Sequence, residues 1–484
     1  MATLANQIKK AKNIDFRKTV DRPLTPFHTD LLTLPMVDKT LYSRVIDEPF
    51  FYKNVICISG AFYDDFAILD QEEMIIEKRI QKDKKYLDER AKAIEIAGNL
   101  LIKFCITSDK LSGSSSKQQL GFIKDYIYQA ESFVPWFTVV ITIGNYLEQQ
   151  IEYVIHDRLD DEQKIKSYAI SITTPTRPSL HNLEENDFLT IAEYHKKGIK
   201  VDDLITTHLN KYRYIGFRDG IGAFWTKNDI MRRLNKSPDP ASERKKILAN
   251  KKRIEKEANE IIKKLGSNGQ LLSLIRHAKK YVWLRTYRSD VYSQAFALIS
   301  RIMNQYVQTL GYKSGDYLQF STQDFLQEKC PSNEELKKRK TAFAAIGING
   351  KMDYLAGQNA IKFRTFLENK VTLSKKICGT VASKIISKIT GIVKIVNSEK
   401  DMAKVEPGDI IVATMTTPNF TPAMKIASGF VTDEGGILCH AAILSREMEK
   451  PCIVGTKNAT RMLKDFDIIQ MNMEEGTVKL ILHK

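Results

Sequence analysis

The stretch that decides the fold of the C-terminal part is TDEGGILCHAAILSRE at residues 432–447, followed closely by PCIVGT at residues 451–456. A β-type run ends at Thr432, and the glycine pair that follows lets the backbone approach another group closely. His440 then opens an alanine-rich helical run, where the free N–H groups of a helix start favour negative charge. The pattern predicts a strand, a glycine loop and a helix that begins with a histidine.

A histidine in this setting is suited to carry a phosphoryl group. Its unperturbed pKa is near ~6.5, and one ring nitrogen can be free to form a bond. Arg446 follows on the same helix and can help to hold an anion, because guanidinium matches the oxygens of phosphate. The ordinary alternative is a histidine that caps or packs the loop, and the residues alone leave both interpretations open.

The stretch resembles the signature of the phosphohistidine, or swivelling, domain of phosphoenolpyruvate-utilising enzymes. The matching positions are Thr432, Gly435, Gly436, His440, Ala441, Ala442, Arg446, Glu447, Pro451, Val454 and Gly455. The resemblance implies that His440 is phosphorylated and that Arg446 and Thr432 stabilise the transferring charge. It assigns the phosphate loop to Gly435, Gly436, Cys439 and Ala441. One departure is Lys384, where the family usually has glycine.

Hydrophobic periodicity predicts a multidomain chain, with a large mainly α-helical domain followed by a small α/β domain. Residues 333–371 are interpreted as one of several long helical stretches, with a turn at 347–351 inside it. Beyond this stretch, short β-type runs alternate with short helical signals. The predicted domains are an arm that packs on the helical body (1–45), the helical domain (46–375) and the phosphohistidine domain (376–484).

Composition narrows the class of protein. The 484 residues include 74 Lys and Arg against 58 Asp and Glu, a net charge of +16, and 43% are apolar. This profile is typical of a folded chain with an anionic ligand or partner. No apolar run has the ~18–20 residues of a membrane span, and the six cysteines include no CxxC pair. We therefore expect a cytoplasmic location, no membrane contact and no metal site.

The helical part offers weaker candidates. Residues 278–326 are similar to the helical substrate domain of rifampicin-phosphotransferase-like proteins. Arg285 and Arg288 are three apart and can share one helix face that receives the phosphoryl group, although a solvated face is the plainer explanation. Trp225 is interpreted as a pocket residue or as core. His208 is a candidate base toward the acceptor or a packed histidine.

The resemblance implies a phosphotransferase component that carries a phosphoryl group on a histidine to a small-molecule acceptor. Neither an ATP-grasp domain nor a phosphoenolpyruvate-binding barrel is recognised in the sequence, so no cofactor is expected on this chain. ATP and Mg²⁺ are expected on an ATP-grasp partner protein, as in split systems such as phenylphosphate synthase. The alternatives are a subunit of a split phosphoenolpyruvate-synthase-like enzyme and a non-catalytic docking or regulatory protein; nucleic acid is a disfavoured partner. A hinge is predicted at residues 373–379.

Overall fold

The computed structural model of the chain describes residues 3–21, 23–111, 113–159, 161–218, 221–235, 239–266, 268–369, 377–397, 399–416, 420–436 and 439–483. The chain divides into two units. The first comprises Met1–Tyr146, Phe217–Gly222 and Tyr287–Thr372, and the second comprises Leu147–Gly216, Ala223–Thr286 and Leu373–Lys484. Within the described part of the chain, no helix is both long and apolar enough to cross a bilayer.

Helices dominate the first three quarters of the chain. They are α1 (Leu4–Ala11), α2 (Pro26–Thr33), α3 (Lys39–Ile46), α4 (Phe66–Lys82), α5 (Tyr86–Ile106), α6 (Ser116–Phe133), α7 (Trp136–His156), α8 (Glu162–Thr173), α9 (Leu180–Lys196), α10 (Asp202–Tyr212), α11 (Lys227–Asn235), α12 (Pro240–Lys264), α13 (Gly269–Thr309), α14 (Thr322–Leu326), α15 (Asn333–Thr341) and α16 (Gln358–Asn369). Local signals start several of them. A capping box formed by Ser115 and Gln118 begins α6, and one formed by Ser179 and Asn182 begins α9.

The first unit contains an antiparallel sheet. Its strands are β1 (Phe16–Asp21), β2 (Val55–Ile58), β3 (Ala61–Asp65), β6 (Phe343–Ile348) and β7 (Lys351–Ala356), in the order β1-β3-β2-β6-β7, and the short strands β4 (Phe217–Arg218) and β5 (Ile221–Gly222) pair separately. Residues 1–45, predicted as an arm, contribute β1 and the fully buried helix α2. In α2, Asp30 accepts hydrogen bonds from the Thr322 hydroxyl at 2.6 Å and from Tyr354 at 2.8 Å. This segment is therefore part of the core of the first unit.

The predicted helical stretch 333–371 is wrong in its middle. A hairpin, β6–β7, separates α15 from α16, and every residue of β6 is buried. The turn predicted at 347–351 is confirmed: Asn349 and Gly350 have φ of +54° and +70°. An Asn-Gly pair in this conformation joins two antiparallel strands tightly. The run AFAAIGI misled the prediction, because small apolar residues fit a buried strand as well as a helix.

The small α/β domain after the helical region is confirmed. Its strands are β8 (Ile377–Cys378), β9 (Thr380–Ser383), β10 (Lys388–Ile395), β11 (Ile410–Ala413), β12 (Gly429–Thr432), β13 (Cys452–Val454), β14 (Ile468–Asn472) and β15 (Thr477–Leu482), and its helices are α17 (Glu399–Met402), α18 (Thr421–Ile426), α19 (His440–Glu447) and α20 (Ala459–Met462). The strand order is β8-β15-β14-β10-β11-β12-β13-β9. Strands β10 to β13 run parallel to one another.

The parallel strands are covered on both faces. Along β11, Ile411 packs with α18 and α19 in one cluster, whereas its neighbours Ile410 and Val412 pack with α20 in another. Strands buried on both faces form continuous apolar runs, which is why DIIVAT and GFVT were recognisable in the sequence. The carboxyl ends of parallel strands meet at one edge, and loops at such an edge are the usual place for a site.

The predicted hinge at 373–379 is only partly described, because residues 373–376 lie outside the described residues. Gly379 is held in the sheet: its N–H donates to the Gly476 carbonyl at 2.8 Å. A Cβ at Gly379 would lie 2.5 Å from the Val454 carbonyl oxygen. Glycine is needed here for close packing, so the hinge role predicted for Gly379 is wrong.

Candidate phosphoryl-transfer site

The loop between β12 and α19 is shaped by its first glycine. Gly435 has a φ of +103°, which disfavours any residue with a side chain. A Cβ at this position would also lie 2.7 Å from the Sγ of Cys439. The Thr432 hydroxyl donates to the Glu434 carbonyl at 2.7 Å. Thr432 therefore shapes the loop, and its hydroxyl already has an acceptor.

A buried aspartate ties this loop to the loop after β13. Asp433 accepts hydrogen bonds from the Thr456 hydroxyl at 2.9 Å and from the N–H and hydroxyl of Thr460. The Thr456 N–H donates to the Thr432 carbonyl at 3.0 Å. A Cβ at Gly455 would lie 2.9 Å from the Gly435 carbonyl oxygen. The two halves of the motif, 432–447 and 451–456, therefore form one structure around Asp433.

Helix α19 begins at His440 and has Cys439 as its N-cap. Ala441 and Ala442 are buried in the cluster beneath the helix, so of Ala441 only the backbone can face a ligand. Burial raises the pKa of the Cys439 thiol, although the amides of Ala442 and Ala441 and the charges of Arg446 and Arg285 oppose the shift. Cys439 is thus neutral and surrounded by groups that favour an anion.

Two arginines from different elements meet at this helix start. Burial lowers the pKa of Arg446 on α19 to about 10, against the opposing charges of Cys439, Glu447, Cys452 and Glu148. The Arg446 Nε donates to the Ala442 carbonyl at 3.0 Å. Burial also lowers the pKa of Arg285 on α13, against the charges of Glu148 and Cys439. The structure therefore brings Arg285 to the motif, and its role toward the phosphoryl group stays a prediction.

Two carboxyl groups complete this cluster. Burial raises the pKa of Glu148 on α7 to about 7, opposed by Arg285 and Arg446 and reinforced by Glu152. Burial raises the pKa of Glu447 to about 7 as well, opposed by Arg446. An Oε1 of Glu148 lies 3.9 Å from the Cβ position of Gly436, a residue whose surface is exposed. Two guanidinium groups beside carboxyls that are easily protonated make a site that favours an added anion.

The other predicted substrate residues lie elsewhere. Arg288 belongs to the first unit, where it donates to the Phe137 carbonyl and its guanidinium lies 4.7 Å from the Phe137 ring centre. The ring of Trp225 lies 5.0 Å from the guanidinium of Arg233. A Cβ at Gly216 would lie 2.5 Å from Trp225, so the tryptophan packs closely against backbone.

His208 is part of a buried ion cluster. Its Nε2 lies 2.9 Å from Oε1 of Glu184, which also accepts from Nη1 of Arg233 at 2.7 Å. Burial would raise the pKa of Glu184, but these two partners outweigh it and hold the pKa at about 2. The arrangement joins α9, α10 and α11. Neither this cluster nor Trp225 joins Arg285 in the contacts at the motif.

Three residues that matter here escaped the sequence prediction. Glu148 and Glu447 take part in the cluster at the motif, and Asp433 ties the two loops together. A signal existed for Glu148, the first acid in a largely apolar helix, since a buried acid needs a partner. Asp433 is only 6% exposed, and both oxygens of its carboxylate accept hydrogen bonds.

Residues 405–476 match the family described as PEP-utilising enzyme, mobile domain. The domain around His440 is therefore a mobile domain of the phosphoenolpyruvate-utilising enzymes. A probable phosphoenolpyruvate synthase of Archaeoglobus fulgidus is 56% identical over 89 residues, 18% of this chain and 12% of that protein. The phosphoenolpyruvate synthase of Escherichia coli K12 is 43% identical over 86 residues, 18% of this chain and 11% of that protein.

A third relative matches a longer part of the chain. The uncharacterized phosphotransferase YvkC of Bacillus subtilis is 38% identical over 159 residues, which are 32% of this chain and 19% of that protein. In each case the match spans less than a fifth of the relative's length. An NMR solution structure of Enzyme I aligns with 50% of this chain and 73% of its own, at 17% identity and a TM-score of 0.17.

Proposed function

We propose that this chain is a phosphotransferase component in which His440 carries a phosphoryl group to a small-molecule acceptor. The observation that carries the proposal is the position of residue 440 at the start of α19, inside a matched mobile domain and next to the N-cap Cys439, which interacts with Arg285 and Arg446. A helix start and two guanidinium groups both favour a phosphoryl anion. The identity with phosphoenolpyruvate synthases over this domain supports the same chemistry.

The proposed reaction has two balanced steps. In the first, a ring nitrogen of His440 forms a bond to phosphorus while the bond from phosphorus to the donor oxygen breaks, and the donor leaves with that electron pair. In the second, an acceptor oxygen bonds to phosphorus while the N–P bond breaks, the ring nitrogen keeps that electron pair, and the proton of the acceptor hydroxyl passes to the released ring. Arg285 and Arg446 stabilise the charge on the transferring oxygens, which is the main contribution a protein makes to phosphoryl transfer.

The donor is proposed to be ATP, bound with Mg²⁺ on an ATP-grasp partner protein, with the β-phosphate as the transferred group. The resemblance to split phosphotransferases supports this assignment. In the structure, α18 and α19 of the mobile domain contact α9 and α12: Lys425 Nζ lies 2.8 Å from Glu185 and 2.9 Å from Glu243, and Asn250 donates to the Glu447 carbonyl. These contacts correspond to a docked position from which the mobile domain would move to a donor.

The test is incubation of the full chain with β-³²P-labelled ATP, Mg²⁺ and candidate ATP-grasp proteins, followed by mapping of acid-labile phosphate. We expect label in the wild type and none in His440→Ala, because the carrier nitrogen is gone. His195→Ala is the matched control and should keep the label. Label that persists in His440→Ala at another histidine would refute the assignment.

A second candidate is a subunit of a split enzyme that acts on phosphoenolpyruvate, and the identity to phosphoenolpyruvate synthases favours it. The same assay with ³²P-phosphoenolpyruvate in place of ATP distinguishes the two. Label on His440 from phosphoenolpyruvate and none from ATP would select this candidate. Absence of label from either donor with every partner tested would favour a docking or regulatory protein.

A further inference from the structure

A cavity in the second unit shares one residue, Glu447, with the cluster at the motif. Its volume is about 260 Å³, and it is enclosed by α9, α12 and the mobile-domain helix α19. Apolar side chains from all three helices line it, among them Leu189, Leu248, Leu444 and Met448. Concave sites that combine apolar walls with placed polar groups are the usual form of a small-molecule site.

His181, near the start of α9, is the polar group that stands out in this cavity. Its ring nitrogens are both buried, and neither finds a hydrogen-bond partner among the described residues. Leaving a buried polar atom unpaired costs about 1–3 kcal/mol, so it calls for an explanation. Burial lowers the pKa of His181 in spite of the nearby charges of Glu184 and Glu185, which leaves the ring neutral with one donor and one acceptor.

The charged side chains that line the cavity are of both signs: Arg177, Arg244, Lys251, Lys279 and Lys425 against Glu185, Glu243, Glu255 and Glu447. Lys425 is bound by Glu185 and Glu243, and Arg244 donates to Glu193 outside the lining at 2.7 Å. The near balance of the two signs leaves little net charge to attract an ion. The chemistry that fits is therefore a neutral, largely apolar molecule with one group that both donates and accepts a hydrogen bond, such as a hydroxyl.

The mobile domain contributes one wall of the cavity. Leu444, Glu447 and Met448 on or after α19 line it. The same helix begins at residue 440, one turn before Leu444. A molecule in this cavity would therefore lie beside the helix that begins with the carrier histidine.

We infer that this cavity binds a neutral alcohol or phenol, the phosphoryl acceptor, and that His181 holds its hydroxyl. The identification of this molecule as the phosphoryl acceptor rests on the proposed function, whereas its binding to the cavity does not. His181 is the residue that would select for the hydroxyl, because a site built around a hydrogen bond rejects an analogue that lacks the group. The apolar walls would bind the rest of the molecule.

The experiment measures binding of 4-methylphenol and of toluene to the unphosphorylated full chain by ligand-observed NMR. We expect the wild type to prefer 4-methylphenol, and we expect His181→Ala to lower this preference by roughly tenfold, since the hydroxyl loses its partner. His195→Ala, on the same helix outside the cavity, should keep the preference. Leu248→Trp, at a residue 53% exposed, should weaken binding of both compounds by filling the cavity.

Two outcomes would overturn the inference: no preference for 4-methylphenol in the wild type, or the same preference in His181→Ala. Should His181→Ala fail to fold, unchanged binding in Leu248→Trp would overturn it instead. The label on His440 is measured separately. Label on His440 without binding of 4-methylphenol rejects the cavity and keeps the carrier, whereas His181-dependent binding without label rejects the carrier and keeps the cavity.

Discussion

Two clusters of buried charge lie in the second unit, and the pKa values of their carboxyl groups shift in opposite directions. Glu184 accepts direct hydrogen bonds from His208 and Arg233, and its pKa falls to about 2. Glu148 interacts with the opposite charges of Arg285 and Arg446, with Glu152 nearby, but burial outweighs them and its pKa rises to about 7. The same residue types thus outweigh the effect of burial at Glu184 and do not outweigh it at Glu148.

The difference separates a structural ion cluster from a candidate site. A carboxylate that is held by direct hydrogen bonds gains from its partners and ties three helices together. A cluster whose arginines and carboxyls are both shifted toward neutrality by burial gains most from an added anion. Buried charge as such is therefore a poor sign of function, and the direction of the pKa shift is the informative quantity.

The largest effect on the free energy of unfolding is expected at the cluster of Glu184, His208 and Arg233. Glu184→Ala should lower the free energy of unfolding by about 3–5 kcal/mol at pH 7, because Arg233 loses its buried partner. Urea denaturation measures this free energy for the variant and the wild type. In the wild type, this contribution is present above the ordinary carboxyl pKa of 4.5 and is lost as the pH falls toward about 2. Glu185→Ala, the next residue on α9, should cost at most about 1 kcal/mol, and equal effects of the two would contradict the comparison.

At the candidate site, two variants three residues apart on α13 are compared, Arg285→Ala and Arg288→Ala. The first should slow discharge of the phosphoryl group from His440 about a hundredfold, since a donor to the transferring oxygens is lost. The second should change discharge by less than about twofold while lowering thermal stability, because Arg288 holds the Phe137 carbonyl. Single-turnover transfer of label to acceptor measures both rates. Equal slowing by the two variants would mean that the whole face of α13 matters.

Glu148→Gln tests the cluster at the motif through the pH dependence of the free energy of unfolding. A carboxyl whose pKa is raised to about 7 on folding binds more protons in the folded state, so wild-type stability falls as the pH rises from about 4.5 to 7. Glutamine at position 148 does not titrate, so this pH dependence is lost, while the neighbouring charged groups Arg285, Arg446 and Glu152 are unchanged. Relative to the wild type, the variant should therefore gain stability between pH 5 and pH 8 in denaturant titrations. A constant difference across this range would refute the raised pKa.

The smallest effect concerns the docked position of the mobile domain. Lys425→Gln removes two partly exposed ion pairs, with Glu185 and Glu243, that are worth at most about 1 kcal/mol together. Hydrogen exchange of the α18 amides should become up to about fivefold faster, and less so at high salt, where the wild-type pairs are screened. Lys479→Gln, on exposed β15, is the control. Unchanged exchange would show that packing alone holds the domain in place.

The α/β domain and its motif were predictable because their signals are local. Parallel strands covered on both faces appear as short apolar runs, and Gly435 must be glycine because of its own φ and its distance to Cys439. The hairpin β6–β7 was missed although its Asn349–Gly350 turn was recognised. Small apolar residues carry no clear period, so the turn should have outweighed the helical interpretation.

What the sequence determined by itself is the motif: the order of strand, glycine loop and helix, with His440 at the helix start. Such features need only neighbours within a few residues of one another. The tertiary structure alone decided which distant charges meet, because pairing depends on how helices pack and not on spacing along the chain. Arg285 and Arg288 lie three residues apart on α13 and have different partners, and His181 and His208 belong to neighbouring helices, yet only His208 is bound by a carboxylate.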